Sequence, residues 1–222
     1  MDVFQLHSQI TLKRGSSQRT LEVEDVLREG GVADAFDEAK SKGLIRYCGF
    51  TGLGETEALH QIIDSGRFDL VQAYYNLLNP SAGLFVPSDF VGHDFSLLIR
   101  KASEKKMGVV VIRVLAGGAL GGEAARQGYA SPTPGPLISG TDYEADLNRA
   151  EKLHFLVEGE VHSLAQVAIM FALMNGAVST VLVGFSNLEQ IGEAASCSGR
   201  GLFPENFMER LRSLWAADFG RK

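Results

Sequence analysis

Residues 181–191, with the sequence VLVGFSNLEQI, carry the pattern that decides the fold. A short apolar run is followed by Gly184 and Ser186, and then by a segment with helical spacing. This pattern predicts a buried strand that enters a helix through a tight turn. Backbone N–H groups at the N-terminus of such a helix can bind phosphate. The alternative is that Ser186 or Asn187 serves only to cap the helix.

Further apolar runs of similar length occur along the chain. Together they predict strands at 3–6, 45–49, 70–73, 109–113 and 180–183. Because helical patterns lie between the runs, strands and helices alternate, which favours right-handed βαβ crossovers and a parallel sheet. Nearly every position in the runs is apolar, so we expect both faces of the strands to be covered. The sequence therefore predicts an α/β fold of about five parallel strands.

Helices are predicted between these strands from apolar residues spaced three and four apart. The first includes Val32, Phe36 and Ala39, and we expect it to end at Gly43 in a left-handed cap. Similar patterns predict helices around 59–63, 97–102, 164–171 and 207–215. Two long irregular stretches, 79–94 and 116–142, follow the C-terminal ends of strands, where α/β proteins place their ligand sites.

Composition and charge limit the classes of function. The chain has 222 residues, of which 45% are hydrophobic and 22% charged, as in soluble globular domains. Its formal net charge of −6 argues against a nucleic acid or membrane-surface partner. No signal peptide is visible, and two cysteines, Cys48 and Cys197, suit a reducing cytoplasm as buried free thiols. We expect one domain over residues 1–222.

One stretch, residues 163–188, contains no charged residue and has to be weighed as a membrane span. Polar residues interrupt it and its periodicity changes in the middle, so a buried helix, a turn and a buried strand explain it better. No Gly-x-Gly-x-x-Gly motif follows the first strand and no Walker motif occurs, which removes support from the two common mononucleotide folds. The histidines and cysteines have no metal-ligand spacing, so no metal is predicted.

Several polar residues stand at or near the predicted strands. His7 follows the first strand, and a histidine there is either a structural hydrogen-bonding group or a catalytic one. Gln72 lies inside a predicted buried strand and is either a satisfied core amide or a ligand contact. Thr51, in the sequence Gly-Phe-Thr-Gly at 49–52, belongs either to an ordinary turn or to a loop that approaches a ligand closely. Gln190 and Glu193 lie three residues apart and share a helix face.

Taken in order, the motif segments resemble the aldo-keto reductases. Residues 2–7 (DVFQLH) resemble the fourth barrel strand of that family, which ends in the active-site histidine, and 43–51 (GLIRYCGFT) resemble the fifth. Residues 68–79 (FDLVQAYYNLLN) are similar to the sixth strand, and 108–122 to the seventh strand with its glycine-rich loop. Residues 163–168 and 181–191 are similar to the seventh helix, the eighth strand and the cofactor-clamping helix of the family.

The resemblance implies a (β/α)₈ TIM barrel that binds NADPH or NADH across its C-terminal face and reduces aldehydes or ketones by hydride transfer. It implies that His7 orients the carbonyl and that Thr51 and Gln72 contact the nicotinamide amide. The loop passing the pyrophosphate would contain Gly117, Gly118 and Leu120. The adenosine end would be bound by Gly184, Ser186, Asn187, Gln190 and Glu193. We expect NADP(H) ahead of NAD(H) as cofactor and a small carbonyl compound as substrate.

The chain also departs from the family pattern. A closed barrel needs eight strands, and the resemblance begins at the fourth, so we expect an incomplete barrel that lacks the first three β/α units. The family's catalytic aspartate, tyrosine and lysine precede that point and have no match here, which implies a truncated, impaired enzyme. Ile112 stands where an aromatic residue stacks on nicotinamide, and Arg113 stands where many members have a small residue. Residues 184–191 contain no lysine or arginine for a 2′-phosphate.

Three functions stay open on the sequence. The first is an aldo-keto reductase with impaired catalysis. The second is a non-catalytic nucleotide-binding or interaction protein derived from that family. The third is another phosphate-binding barrel with His7 as general base, which leaves 72–76 and 117–122 unexplained. In each case the open sheet edges of a five-stranded sheet predict self-association.

Overall fold

The computed structural model describes residues 1–14, 20–121, 142–201 and 203–220. The strands in this part of the chain are β1 (Val3–Leu6), β2 (Gln9–Thr11), β3 (Thr20–Glu22), β4 (Tyr47–Gly52), β5 (Leu70–Tyr74), β6 (Gly108–Ile112) and β7 (Thr180–Val181). Five of them form one parallel sheet in the order β1-β4-β5-β6-β7. The predicted α/β, TIM-barrel-like arrangement of five parallel strands is confirmed.

Helices connect the strands and cover one side of the sheet. They are α1 (Val23–Leu27), α2 (Val32–Ser41), α3 (Thr56–Asp64), α4 (Leu98–Glu104), α5 (Tyr143–Glu151), α6 (Leu164–Leu173), α7 (Leu188–Ser196) and α8 (Glu205–Ala216). The predicted end of α2 is confirmed, because Gly43 has φ +68° and the next residue's N–H donates to the carbonyl of Ala39 at 3.0 Å. Helices α1 and α5 were not expected from the sequence.

The boundaries of two predicted strands were wrong. The strand placed at 45–49 begins later, at Tyr47, and continues to Gly52, while the one placed at 180–183 is paired only at Thr180–Val181. A second, two-stranded parallel sheet of β2 and β3 was also missed. Each of its strands has three residues, which is too short for alternation of apolar and polar residues to be recognised.

The expectation that both faces of the strands are covered holds only in part. Val109 and Val111 in β6 are fully buried, whereas the alternate positions of the same strand are half-buried. In β1, Val3 and Phe4 expose 42% and 45% of their surface. Within the described residues β1 pairs only with β4, and β7 only with β6. The sheet is therefore open at both edges in the part of the chain described.

One continuous apolar core lies between the sheet and its helices. Both cysteines are buried in it as free thiols, as the sequence predicted. The uncharged stretch 163–188 forms α6, a turn and β7, which confirms the interpretation made from its periodicity. Among the described residues, no helix has the length and apolar character needed to cross a membrane.

Candidate cofactor-binding site

A cleft of about 930 Å³ opens at the C-terminal ends of β6 and β7. Its walls are the loop after β6, the turn after β7 and the first turns of α6 and α7. A volume of this size is typical of a pocket for a small molecule or cofactor. Seven residues predicted to bind the cofactor's pyrophosphate and adenosine line it: Gly117, Gly118, Gly184, Ser186, Asn187, Gln190 and Glu193.

The loop after β6 has an unusual backbone. Arg113 and Ala116 have φ values of +58° and +48°, and Gly117 and Gly118 have +71° and +108°. Glycine adopts such values at little cost, which explains the two glycines, whereas the arginine and the alanine are strained there. The loop carries this strain at the wall of the 930 Å³ cleft. Leu120, predicted on the same loop, is fully buried and packs in the core.

At the start of α7, side chains hold the backbone in place. The Asn187 side-chain oxygen accepts the Gln190 N–H at 2.9 Å, and the Gln190 side-chain oxygen accepts the Ser186 N–H at 2.6 Å. Asn187 is therefore the N-cap, and the capping alternative raised from the sequence is confirmed for this residue. Capping leaves other N–H groups of the first turn directed toward the N-terminal end of the helix, where the cleft lies.

The start of α6 repeats this arrangement across the cleft. The Ser163 hydroxyl accepts the Gln166 N–H at 3.1 Å, and the Gln166 side-chain oxygen accepts the His162 N–H at 2.8 Å. The Ser163 hydroxyl also donates to the carboxylate of Glu193 on α7. Two helix N-termini, each with partial positive charge, therefore face one cleft and are tied together by a hydrogen bond.

The contribution of α6 was not predicted, although the sequence contains a signal for it. A capping residue followed three positions later by glutamine occurs in both helices, at Ser163 and at Asn187. This spacing is the one found in capping boxes, in which two side chains satisfy the first N–H groups of a helix. A comparison of the two segments would have identified both helices as parts of one site.

The residues predicted for the nicotinamide and the substrate lie elsewhere. Thr51 on β4 is almost fully buried, and its hydroxyl donates to the side-chain oxygen of Gln72 on β5 at 3.1 Å. These two residues face each other in the β4–β5 register. His7 is exposed just beyond the end of β1, at the edge of the sheet. None of the three lines the 930 Å³ cleft.

No metal site is present among the described residues, since no group of histidine, cysteine, aspartate and glutamate side chains could hold an ion there. Burial raises the pKa of the Cys48 thiol, although the neighbouring Lys40 ammonium opposes the shift. A thiol of this kind is protonated at neutral pH, which supports its expected structural role. By the family resemblance, two loops would form the substrate pocket: 80–94, which lies within the described residues, and 123–142, of which only Asp142 does.

Comparison with known proteins decides the family. The profile of the aldo/keto reductase family matches residues 1–216, almost the whole chain. The chain belongs to the aldo/keto reductase family. The resemblance carried by its motif segments is therefore confirmed at the level of the family. A comparison with curated protein sequences gives no significant match.

Solved aldo-keto reductases share the fold of the chain. An aldo-keto reductase from Bacillus halodurans, in its holo form, is 18% identical, with a TM-score of 0.62 over 96% of this chain and 60% of the other. The glycerol dehydrogenase of Gluconobacter oxydans is 16% identical, with a TM-score of 0.64 over 100% of this chain and 60% of the other. An aldo/keto reductase from Klebsiella pneumoniae, in complex with NADP and acetate, is 16% identical, with a TM-score of 0.60 over 97% of this chain and 59% of the other.

These similarities concern the fold, because the identities are low. The chain spans about 60% of the length of the solved structures that it matches. The structure shows where the two residues that depart from the family pattern, at 112 and 113, lie. Ile112 is half-buried at the end of β6, and Arg113 lines the cleft.

Proposed function

We propose that this aldo/keto reductase binds the pyrophosphate and adenosine of a nicotinamide dinucleotide in the cleft at the ends of β6 and β7. The observation that carries the proposal is the convergence of Gly117, Gly118, Ser186 and Gln190 on one cleft between two helix N-termini. Glycine backbone allows close approach of a phosphate, and helix N-termini favour negative charge. The cleft is large enough to accept a nucleotide.

We propose NADP(H) ahead of NAD(H) as the cofactor. The relative from Klebsiella pneumoniae is in complex with NADP, and Ser186 and Asn187, which line the cleft, would supply hydrogen-bonding groups for a 2′-phosphate. The competing consideration is charge, because Glu189 and Glu193 also line the cleft and would favour a free ribose hydroxyl. Parallel titrations with NADPH and NADH test the choice directly.

The reaction that follows from the family is hydride transfer from the reduced cofactor to a small aldehyde or ketone. His7 would orient the carbonyl, while Thr51 and Gln72 would contact the nicotinamide amide. No residue of the chain matches the family's catalytic tyrosine, lysine and aspartate. Since a positioned general acid contributes roughly 10²–10⁴-fold, we expect turnover by this chain alone to be slower by about that factor.

Titration of the wild-type chain with NADPH, followed by nicotinamide fluorescence, tests the proposal. Ser186→Asp places a carboxylate beside the expected phosphates and should weaken binding about tenfold, because like charges repel at short range. Ser198→Asp is the matched control, since Ser198 is exposed beyond the end of α7 and does not line the cleft. Absence of any fluorescence change with millimolar NADPH contradicts the proposal.

A second function, nucleotide binding without catalysis, is favoured by the geometry of β4 and β5. The Thr51 hydroxyl donates a hydrogen bond to the side-chain oxygen of Gln72, and His7 lies exposed at the sheet edge. A chain that binds NADPH but does not oxidise it with simple aldehydes has this function. A chain that binds NADPH and oxidises it has the first.

Two further proposals concern the domain organisation of the protein and its location in the cell. Residues 1–222 form a single aldo-keto reductase-like domain, which is supported by the continuous apolar core of the described residues. The protein works in the cytoplasm, which is supported by its two buried free thiols. Limited proteolysis that releases two stable fragments would contradict the first expectation.

A further inference from the structure

Arg113 gives the cleft a cation that the family pattern does not call for. It is the only lysine or arginine among the described residues that line the cleft. None of the ion pairs formed between described residues includes its guanidinium. A half-buried arginine that lines a cleft, without a carboxylate partner in the described part of the chain, is suited to an anionic ligand.

The backbone holds Arg113 in a strained conformation at this point. Its φ of +58° lies in the left-handed region, which disfavours a residue with a β-carbon. Its carbonyl accepts the Ala116 N–H at 2.8 Å and the side-chain amide of Asn76 at 2.9 Å. Asn76 is itself fully buried, and its side-chain oxygen accepts the N–H groups of Leu78 and Asn79, both at 2.9 Å. The turn after β5 therefore holds the backbone of the turn after β6 at Arg113.

We propose that Arg113 pairs with a phosphate of the dinucleotide bound in the cleft. The inference rests on the proposed function and adds a residue to it. A dinucleotide brings two phosphate charges, and Glu189 and Glu193 add negative charge to the walls. The helix N-termini offset part of this charge, and Arg113 supplies a full positive charge with a planar fork that matches phosphate oxygens.

Binding of ADP-ribose and NADPH, measured by calorimetry, tests the proposal. ADP-ribose carries the two phosphates but has no nicotinamide and no part of a carbonyl substrate.

Arg113→Met should weaken binding of both ligands about 10- to 100-fold, which is the usual value of a charge-assisted hydrogen bond. The same substitution should also make the affinity less dependent on salt concentration. Arg113→Lys should restore part of the affinity, because it restores the charge without the fork. Arg100→Met, on the exposed surface of α4, is the matched control and should leave binding unchanged.

A further variant excludes misfolding as the cause of lost affinity. Arg113→Gly suits a φ of +58°, so the variant should unfold at the same temperature as the wild type or higher, yet bind ADP-ribose as weakly as Arg113→Met. An Arg113→Met chain that keeps its affinity for ADP-ribose overturns the inference. If it then loses only the ability to reduce carboxylate-bearing aldehydes, the anion belongs to the substrate instead.

The failure of this inference can be told apart from failure of the proposed function. A wild-type chain that binds neither NADPH nor ADP-ribose contradicts the proposed function. A wild-type chain that binds both, together with an Arg113→Met variant that binds them equally well, contradicts the role of Arg113 alone.

Discussion

Along its strand order the sheet has two sides, β6–β7 and β1–β4–β5, and they differ in how their predicted site residues are brought together. On the β6–β7 side, seven predicted residues converge on one cleft. On the β1–β4–β5 side, Thr51 and Gln72 bond to each other, and His7 is exposed at the edge of the sheet. The first side is built from two local segments, the loop after β6 and the turn and helix after β7, and within each segment its residues are neighbours in sequence. The second side needs residues from three strands to act together.

This difference shows which part of a barrel site can be built by residues close together in the sequence. A strand–turn–helix unit brings its own helix N-terminus and its own cap, as at Asn187 after β7. The residues expected to act on the substrate carbonyl can do so only together with residues that are far away in the sequence. Of the two proposed properties, phosphate binding therefore has more direct support from the geometry than catalysis.

Asn76 links the two sides, and its substitution is expected to have the largest effect. Asn76→Asp removes the amide that donates to the carbonyl of Arg113 and places a carboxylate at a fully buried position. We expect the free energy of unfolding to fall by about 3 kcal/mol, the order found for a buried polar group that loses its partner and gains charge. Urea unfolding measures the loss. Asn148→Asp on the exposed face of α5 is the control and should change stability little. A variant as stable as the wild type would show that the two turns are not coupled.

The open edge at β1 leads to the second prediction. Val3 exposes 42% of its surface on a strand that pairs on one side only among the described residues, so we expect the chain to self-associate. Val3→Lys should raise the dissociation constant of the associated form about tenfold, because lysine on an edge strand opposes strand pairing. Sedimentation velocity over a range of concentrations measures the change. Val91→Lys, at an exposed loop position, is the control. A wild-type chain that sediments as a monomer at all concentrations contradicts the prediction.

Asp69, near the N-terminal end of β5 and far along that strand from the cleft, gives the smallest effect. Burial raises the pKa of this carboxyl, but the Lys40 ammonium at 2.7 Å and the Cys48 N–H at 2.8 Å outweigh it, so the pKa is lowered. A lowered folded-state pKa means that the stabilisation is complete above the ordinary value of 3.8 and is lost as the pH falls below it. Asp69→Asn should therefore reduce the loss of stability between pH 5 and pH 3, by a few tenths of a kcal/mol, because the pair is partly exposed.

Chemical unfolding at both pH values measures this effect, with Glu29→Gln as an exposed control. The affinity for NADPH should not change in either variant, because neither residue lines the cleft. An Asp69→Asn chain with undiminished acid sensitivity would show that other carboxyl groups determine it.

Much of the fold could be predicted because its signals are local. The apolar runs fixed the five strands of the main sheet, and Gly43 marked the end of α2. Gly117 and Gly118 were placed on the loop after β6 by the family resemblance, and their positive φ values explain why glycine is favoured there. What the runs could not show was which strand faces are covered, because that depends on neighbours in space.

The missed features depend on contacts between residues far apart in the sequence. The Asn76–Arg113 hydrogen bond joins positions 37 residues apart, and the Ser163–Glu193 hydrogen bond joins positions 30 apart. No local pattern predicts either pairing. Arg113 was recognised as a departure from the family, but its place in the cleft follows from the turn that Asn76 holds. Leu120 lies on the predicted pyrophosphate loop, and the burial of its side chain in the core was not expected from the sequence.

Hydrogen–deuterium exchange of the wild-type chain, with and without NADPH, tests the central claim most directly, because it reports both sides of the sheet in one measurement. We expect NADPH to slow exchange in residues 113–121 and 184–193, and in the first turn of α6. We expect no slowing in β1, and slowing in β4 and β5 only where Thr51 and Gln72 contact the nicotinamide amide. Protection confined to β1, β4 and β5, or no protection at millimolar NADPH, would contradict the claim that the β6–β7 cleft is the cofactor site.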